Sequence, residues 1–335
     1  MTPADLSRTV LRAVRRAVEE GELCVAVPAR AVVERPRPGG RGDYATNIAL
    51  QLAGPAGRPP REVADALRGR IAAVPGIARV EITGPGFLNF TLAGGGRGEL
   101  VRTVCAQGAT GYGHSTTMAG RSVTFRAVDE LRAQVVTQAV VRLLRAQGAR
   151  AEVLASAAAE PLPDDVESLP VAPVPASEGD VLRRFGRDAV VWAALSGATQ
   201  ERPRFGPGLL VQDESNPLFR VRYAHARTRA LLRNADDLGF GAEAAEIPDG
   251  DALLDALAQY PATLEAAAHH RAPDRLARQL VLIADAVLAY QHTVLPLGDE
   301  KPSAAHRARL ALAEAAGTVL AGGLSLLGIS APDHL

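Results

Sequence analysis

Apolar residues recur at helical spacing along much of this chain. Leu6, Val10 and Val14 begin an N-terminal stripe that predicts a helix ending at Gly21. The stretch from residue 216 to about 234 has the same period. Further helices are predicted at 251–271, 273–294 and 303–327. The C-terminal part is therefore predicted to be an all-α helical bundle.

Alternating patterns predict strands nearer the N-terminus. Residues 77–83 and 87–92 alternate apolar and polar side chains, and Gly84-Pro85-Gly86 supplies a tight turn between them. Residues 22–34 are also predicted as strand. With helices around 47–58 and 60–75, this pattern indicates an α+β N-terminal domain over residues 1–112.

A short βαβ-like pattern follows. Residues 122–128 are predicted to form a strand, Asp129 to cap the next helix, and 151–154 to form a second strand. The Ala-, Pro- and acid-rich residues 155–177 are predicted to be a linker, and one helix is predicted from 179 to 195. The predicted division is 1–112, 113–177 and 178–335.

The composition limits how this chain could bind a charged partner. It has 335 residues, 37 Lys plus Arg and 37 Asp plus Glu, so its formal net charge is zero. A protein of this balance binds nucleic acid only through a local basic patch. Two cysteines are too few for a disulfide framework or a zinc site. No leader or membrane-spanning run is recognisable, so we expect a cytoplasmic protein without a membrane partner.

The stretch 216–233 is such a patch. It contains five arginines and no acid, and Asn216-Pro217 is a good start for a helix. Guanidinium groups bind phosphates, and the ring of Tyr223 offers a surface for an unpaired base, which is how single-stranded RNA loops are bound. The residues alone favour a solvated arginine-rich helix instead.

The order of residues in this stretch is more specific than its chemistry. Asn216-Pro-x-Phe-x-Val-x-Tyr-Ala-His-Ala-Arg resembles the segment that opens the DALR-type anticodon-binding domain of arginyl-tRNA synthetases. Near the N-terminus, Gly42-Asp-Tyr-Ala-Thr-Asn and Gly84-Pro-Gly-Phe-Leu-Asn-Phe resemble the additional N-terminal domain of the same family. The final residues, Leu327-Gly-Ile-Ser-Ala-Pro-Asp-His-Leu335, also resemble it.

The resemblance implies tRNA as partner and two sets of contacts. The N-terminal domain would meet the D-loop, and the bundle would hold the anticodon arm. The RNA-binding candidates are Phe87, Asn89, Arg220, Arg222, Tyr223, Arg227 and Arg229. Strand alternation suggests that Phe87 and Asn89 point outward together; the residues alone favour an edge hairpin whose Phe is core.

Several positions depart from the family pattern. Arg220 stands where the family has a first tyrosine, and Arg222 stands at a glutamine-like position. Gln291-His292 replaces Tyr-Asn, and Leu335 replaces a terminal Met. At positions 220 and 222, guanidinium groups that bind phosphate replace side chains that stack on bases or form hydrogen bonds with them. Attraction to the RNA backbone is therefore expected to outweigh selection of particular bases.

The signatures of the catalytic domain are missing from the sequence. It has no His-x-Gly-His motif, and its one lysine is Lys301. The strand before Asp129-Glu130 leads directly into these two acids, where the phosphates of ATP would need backbone amides and cations. We therefore interpret 121–154 as a remnant of a Rossmann-type catalytic domain. We expect a noncatalytic tRNA-binding pseudoenzyme, not an enzyme, with no cofactor, metal or ATP.

Other hypotheses about the function remain open. The chain could be a regulatory scaffold that binds a protein and has lost RNA binding, as its neutral charge and altered anticodon positions suggest. It could also be an accessory subunit of a separate synthetase or biosynthetic enzyme. An arginine sensor ranks last, because it would need an acidic pocket that the shortened middle does not supply.

Overall fold

The computed structural model describes residues 3–34, 36, 42–93, 96–126, 129–154, 166–174 and 177–335. It contains two compact units, Met1–Leu100 and Val101–Leu335, rather than three. The boundary precedes the predicted one at residue 112, because the end of the N-terminal segment packs with the second unit. There the Tyr112 ring stacks on Tyr260, with centroids 5.9 Å apart, and its hydroxyl donates to the Leu257 carbonyl at 2.8 Å.

The first unit is an antiparallel sheet packed with helices. Its strand order is β1-β2-β4-β3, and the buried faces of the helices and strands form one apolar core. The elements are α1 (Pro3–Glu19), β1 (Val33–Glu34), β2 (Tyr44–Thr46), α2 (Ile48–Ala56), α3 (Pro60–Ala72), β3 (Ile77–Thr83) and β4 (Phe87–Leu92), and α4 (Gly96–Gln107) runs across the boundary.

The predicted hairpin is confirmed, and the strand predicted over residues 22–34 is wrong for most of its length. Gly84 and Gly86 adopt positive φ angles of 55° and 143°, which allow the tight turn between β3 and β4. Of residues 22–34, only Val33–Glu34 pairs with another strand. The amides of Glu22 and Leu23 instead bond to the Ala17 carbonyl, so this segment closes the end of α1.

The second unit joins a small parallel sheet to a helical bundle. In the sheet, β5 lies between β6 and β7 and runs parallel to both. The elements are β5 (Ser122–Arg126), α5 (Leu131–Ala146), β6 (Arg150–Leu154), β7 (Val166–Glu167), α6 (Glu178–Phe185), α7 (Arg187–Leu195), α8 (Pro217–Asp237), α9 (Asp251–His270), α10 (Pro273–Tyr290) and α11 (Ala304–Leu327), with 3₁₀ turns at Pro207–Leu210 and Gln291–Thr293.

The helices predicted for the C-terminal part are confirmed, whereas the single helix predicted over 179–195 is two helices. Gly186 has φ 76°, which ends α6 and starts α7 in a new direction. Residues 127–128 of the predicted strand and residues 155–165 and 175–176 of the predicted linker lie outside the described residues.

The start of α5 is built around a buried arginine. Glu130, not the predicted Asp129, caps the helix: one carboxylate oxygen accepts from the Ala133 amide at 2.7 Å and the other from the Val174 amide at 2.8 Å. Glu130 caps the helix in place of Asp129 because its carboxylate also accepts a hydrogen bond from the distant Val174 amide. Arg132 is fully buried, and burial lowers its pKa. Its guanidinium donates to the carbonyls of Ala172, Ala194, Ala198, Thr199 and Glu201.

One helix of the bundle is very apolar. By length and composition α11 could cross a membrane, but 72% of its most apolar window is buried inside the protein. Gly317 lies so close to α8 that a Cβ there would stand 2.3 Å from the Thr228 hydroxyl oxygen. The small residue is required for this helix contact.

Replacing Arg132 by methionine should lower the free energy of unfolding of the second unit by about 3 kcal/mol or more, because several buried carbonyls lose their donor. Chemical unfolding followed by circular dichroism measures this change. Arg126→Met, at an exposed position of β5, is the matched control and should change the same free energy by less than about 0.5 kcal/mol. Equal effects of the two substitutions would contradict a structural role for the carbonyl cluster.

Candidate nucleic-acid interface

The helix α8 begins where the sequence predicts. Asn216 is buried, and its side-chain oxygen accepts from the Leu218 amide at 3.1 Å. Its side-chain nitrogen donates to the carbonyls of Leu209 and Val211, at 3.2 and 2.9 Å. One side chain therefore caps the helix and ties it to the preceding loop.

The predicted core face of α8 is confirmed. Val221, Ala224, Thr228 and Leu231 are buried, and Leu232 is half-buried. Their packing against α10 and α11 sets the direction in which the remaining side chains of α8 point. The predicted RNA-binding arginines therefore lie on two flanks of the helix.

On the first flank, the side chains are partly engaged. Arg220 pairs with Asp285 at 3.1 Å, and Arg227 Nε donates to Gln291 Oε1 at 2.7 Å. Tyr223 is 36% exposed, and its ring stacks on Phe219 with centroids 5.6 Å apart and an angle of 8° between the rings. The exposed part of the Tyr223 ring is accessible to solvent and so to a binding partner.

On the second flank, the C-terminal segment pairs with two arginines that remain exposed. Arg229 pairs with Asp333 at 3.3 Å, and Arg233 donates to the Asp333 carbonyl at 3.5 Å. This compensation was not predictable from the sequence, since α8 contains no acid before Asp236 and Asp333 is about 100 residues away. The field of this flank is thus weaker than the sequence suggests.

His225, absent from the predicted set, anchors the same segment. Its ring is 4% exposed, and Nδ1 lies 3.0 Å from the Pro332 carbonyl, which makes Nδ1–H the donor of the neutral ring. Burial lowers the pKa of His225 below its ordinary value of 6.5; the Pro332 carbonyl and Asp333 act in the opposite direction, and Arg229 acts with burial. The only sequence signal for this role was the position of His225 between two closely spaced pairs of arginines.

Arg222 differs from the other arginines of α8. It is half-buried and has no ion pair or hydrogen bond to another described residue. Its Nε, like that of Arg220, is buried without a hydrogen-bond partner in the described part of the chain. It lines a cavity of about 510 Å³ within the second unit, between the starts of α7 and α8. Arg187, Asp188, Leu210, Phe219 and Leu335 also line it, so its wall combines apolar side chains with polar and charged ones.

In the first unit, the two predicted D-loop residues lie differently. Phe87 is 41% exposed, whereas Asn89 is 5% exposed and its amide nitrogen donates to Thr83 Oγ1 at 2.7 Å. The expectation that both point outward is therefore wrong for Asn89. Asn89 pairs with residues of both β2 and β3, inside the sheet, whereas Phe87 pairs only with Thr83 at the end of the hairpin.

Two parts of the chain match known families. Residues 221–335 match the family described as DALR anticodon binding domain, and residues 5–92 match the one described as Arginyl tRNA synthetase N terminal domain. The first range begins inside α8, and the second covers nearly all of the first unit.

Several proteins similar in sequence to this chain are named arginine–tRNA ligases. An arginine–tRNA ligase of Frankia alni is 29% identical over 553 positions, with all of both chains covered, and one of Renibacterium salmoninarum is 26% identical over 550 positions, again with full coverage. An arginine–tRNA ligase of Kineococcus radiotolerans is 41% identical over 162 positions, covering 44% of this chain and 29% of that protein.

Solved structures share the fold. The arginyl-tRNA synthetase of Thermus thermophilus superimposes with a TM-score of 0.69 and 13% identity, over all of both chains. That of Plasmodium falciparum gives a TM-score of 0.63 and 9% identity over 99% of both chains. At these identities the comparison establishes the fold alone.

The expectation that this chain is not an enzyme is contradicted. The relatives aligned with its whole length are named arginine–tRNA ligases, and an enzyme of that family shares its fold. The expectation was based on the absence of catalytic sequence motifs. The absence of a motif does not measure whether activity has been lost. The alignment extends over the full length of both chains, but this chain of 335 residues can fill at most 335 of its 553 positions, so the remaining positions are gaps in this chain.

The stability of the second unit should fall as the pH drops below about 6.5. The folded state holds His225 neutral, and burial lowers the pKa of His114 in the same way, so the unfolded chain binds protons first. Each histidine contributes at most about 1.4 kcal/mol per pH unit. Urea unfolding between pH 5 and 8 measures the slope.

His225→Asn should flatten part of that slope, and the matched change His269→Asn, at an exposed position, should leave it unchanged. A slope that survives the first substitution in full would show that His225 does not link the C-terminal segment to pH.

Proposed function

We propose that this chain, which belongs to the arginyl-tRNA synthetase family by its N-terminal and DALR domains, binds tRNA and holds the anticodon arm against the first half of α8. The observation that carries the proposal is the combination of Arg222 and the Phe219–Tyr223 stack at the start of this helix. A buried guanidinium nitrogen without a partner lies on one side, and an exposed ring lies on the other. Phosphate and base are the two groups that such a pair binds.

The charge arrangement ranks the arginines of α8. Arg220 and Arg229 each pair with a carboxylate, so a phosphate must displace Asp285 or Asp333 before it binds them. Exposed ion pairs contribute only about 0–1 kcal/mol, so this exchange costs little. Arg222 needs no such exchange, and we infer that it makes the largest single electrostatic contribution on this helix.

In the N-terminal domain, we propose that Phe87 alone meets the tRNA. Its half-exposed ring at the hairpin tip can stack on an unpaired base. Asn89 supports it indirectly, because its hydrogen bond to Thr83 joins the two strands of that hairpin.

The middle of the chain admits a second candidate function. Full-length alignment with proteins named arginine–tRNA ligases favours ligation of arginine to tRNA. We infer that β5, α5, β6 and β7 form a shortened Rossmann-type domain, in line with their parallel pairing. An arginylation assay with ATP, arginine and tRNA, run beside a relative of established activity, decides whether this chain catalyses the reaction.

Tyr223→Ala should weaken tRNA binding by about tenfold or more, because loss of a stacked base costs roughly 1–3 kcal/mol. Tyr223→Phe keeps the ring and is the matched control. Fluorescence anisotropy with labelled tRNA, titrated at two salt concentrations, measures both affinities. Equal affinities of the alanine and phenylalanine proteins would remove the stacking contact from the proposal.

Arg222→Gln should reduce tRNA affinity and lower the salt dependence of binding by about one phosphate contact. Arg233→Gln is the matched change on the same helix, and it should have a smaller effect because Arg233 already bonds the C-terminal segment. If folded wild-type protein recovers a protein partner and no tRNA after crosslinking, the chain is an interaction scaffold instead.

A further inference from the structure

The solvent face of α1 carries three exposed arginines. Arg12, Arg15 and Arg16 are exposed, and none has an ion pair or hydrogen bond to another described residue. On α8, by contrast, four of the five arginines have a hydrogen-bonding or ion-pair partner, the exception being Arg222. The N-terminal helix thus offers more unpaired positive charge than the helix that the sequence singled out.

The position of these arginines is fixed by the opposite face of the helix. Leu6, Val10, Val14 and Ala17 are almost fully buried in the core of the first unit. At about 100° per residue, positions 12, 15 and 16 fall within an arc of about 100° on the other side. Residues three and four apart are neighbours on a helix surface, so three guanidinium groups lie side by side over about one turn.

One acid lies on the same face: Glu19 is exposed and falls inside the arc of the three arginines, so the surface carries three guanidinium groups and one carboxylate. The next acids in sequence are bound elsewhere. Arg70 forms ion pairs with both Glu20 and Glu22, the second at 2.6 Å. The hydrogen bond from Arg70 to Glu20 is the main cause of the raised pKa of Arg70. Asp5 pairs with Arg8 at 2.5 Å. Two carboxylates that could have neutralised the end of α1 are therefore held by α3.

We propose that Arg12, Arg15 and Arg16 form a docking surface for the phosphate backbone of the bound RNA. The proposal rests on tRNA binding by this chain and gives it a second electrostatic contact, on the first unit. Planar guanidinium groups match phosphate oxygens in pairs, and a zero net charge leaves such local clusters as the means of attracting RNA. The main apolar stripe of α1 is in the core, so the helix has little hydrophobic surface left to insert into a membrane.

The test is the triple variant Arg12→Gln, Arg15→Gln, Arg16→Gln in the full chain. Glutamine keeps helix propensity and removes the charge. Affinity for labelled tRNA is measured by anisotropy between 50 and 200 mM salt. We expect at least about tenfold weaker binding at the lowest salt, and a slope of log affinity against log salt that is smaller by about 2 to 3.

The matched control replaces three arginines of the same unit that do pair with acids: Arg58 with Glu62, Arg68 with Asp65 and Arg79 with Glu81. It changes the net charge by the same amount, and circular dichroism of both variants verifies folding. We expect the control to keep the wild-type slope. Equal losses in the two triple variants would mean that bulk charge, not this surface, attracts RNA, and would overturn the proposal.

The remaining outcomes separate this proposal from the proposed function. If Arg222→Gln weakens binding and the α1 variant does not, tRNA binding stands and the docking surface is refuted. If the wild-type protein fails to bind tRNA, both are refuted. If it binds vesicles of anionic lipid through these arginines and RNA binding is unaffected by their loss, the occupant is a membrane surface and this proposal is overturned.

Discussion

The close packing of α11 against α8 determines where each candidate contact of the second unit lies. Gly317 leaves room for Thr228, whose hydroxyl donates to the His225 carbonyl at 2.7 Å within the same helix. A side chain at position 317 would push the two helices apart. Because α8 is fixed along this face, Arg222 and Tyr223 are held on opposite flanks and do not depend on loop conformation.

Charge compensation is the second organising constraint. The chain has equal numbers of acids and bases, and on α8 the acids that balance the arginines come from α10 and from the C-terminal segment. The same pairing leaves Arg222 and the outer face of α1 unpaired. A neutral protein can therefore present concentrated positive charge in selected places.

Periodicity predicted most helices because burial of one face determines both the sequence pattern and the structure. It failed where a distant residue decides the outcome. Asn89 lies in an inner strand and its buried amide donates to Thr83 of the neighbouring strand. Glu130, not Asp129, caps α5 because it also accepts from the Val174 amide. The arginines of α8 were recognised, but their partners could not be, since Asp285 and Asp333 are remote in sequence. The expectation of no enzyme failed for another reason: it was drawn from absent motifs, which carry no information about measured activity.

The carbonyl cluster around Arg132 also constrains how the chain can be dissected. Its acceptors lie 40 to 69 residues further along the chain, on both sides of residue 177. A fragment ended there would keep a buried charge and lose four of its five acceptors, while the complementary fragment would keep carbonyls without their donor. The small parallel sheet and the helical bundle are thus parts of one cooperative folding unit. Cutting the chain at that junction would therefore separate the Arg132 donor from most of its acceptors, even though the sequence there predicts a linker.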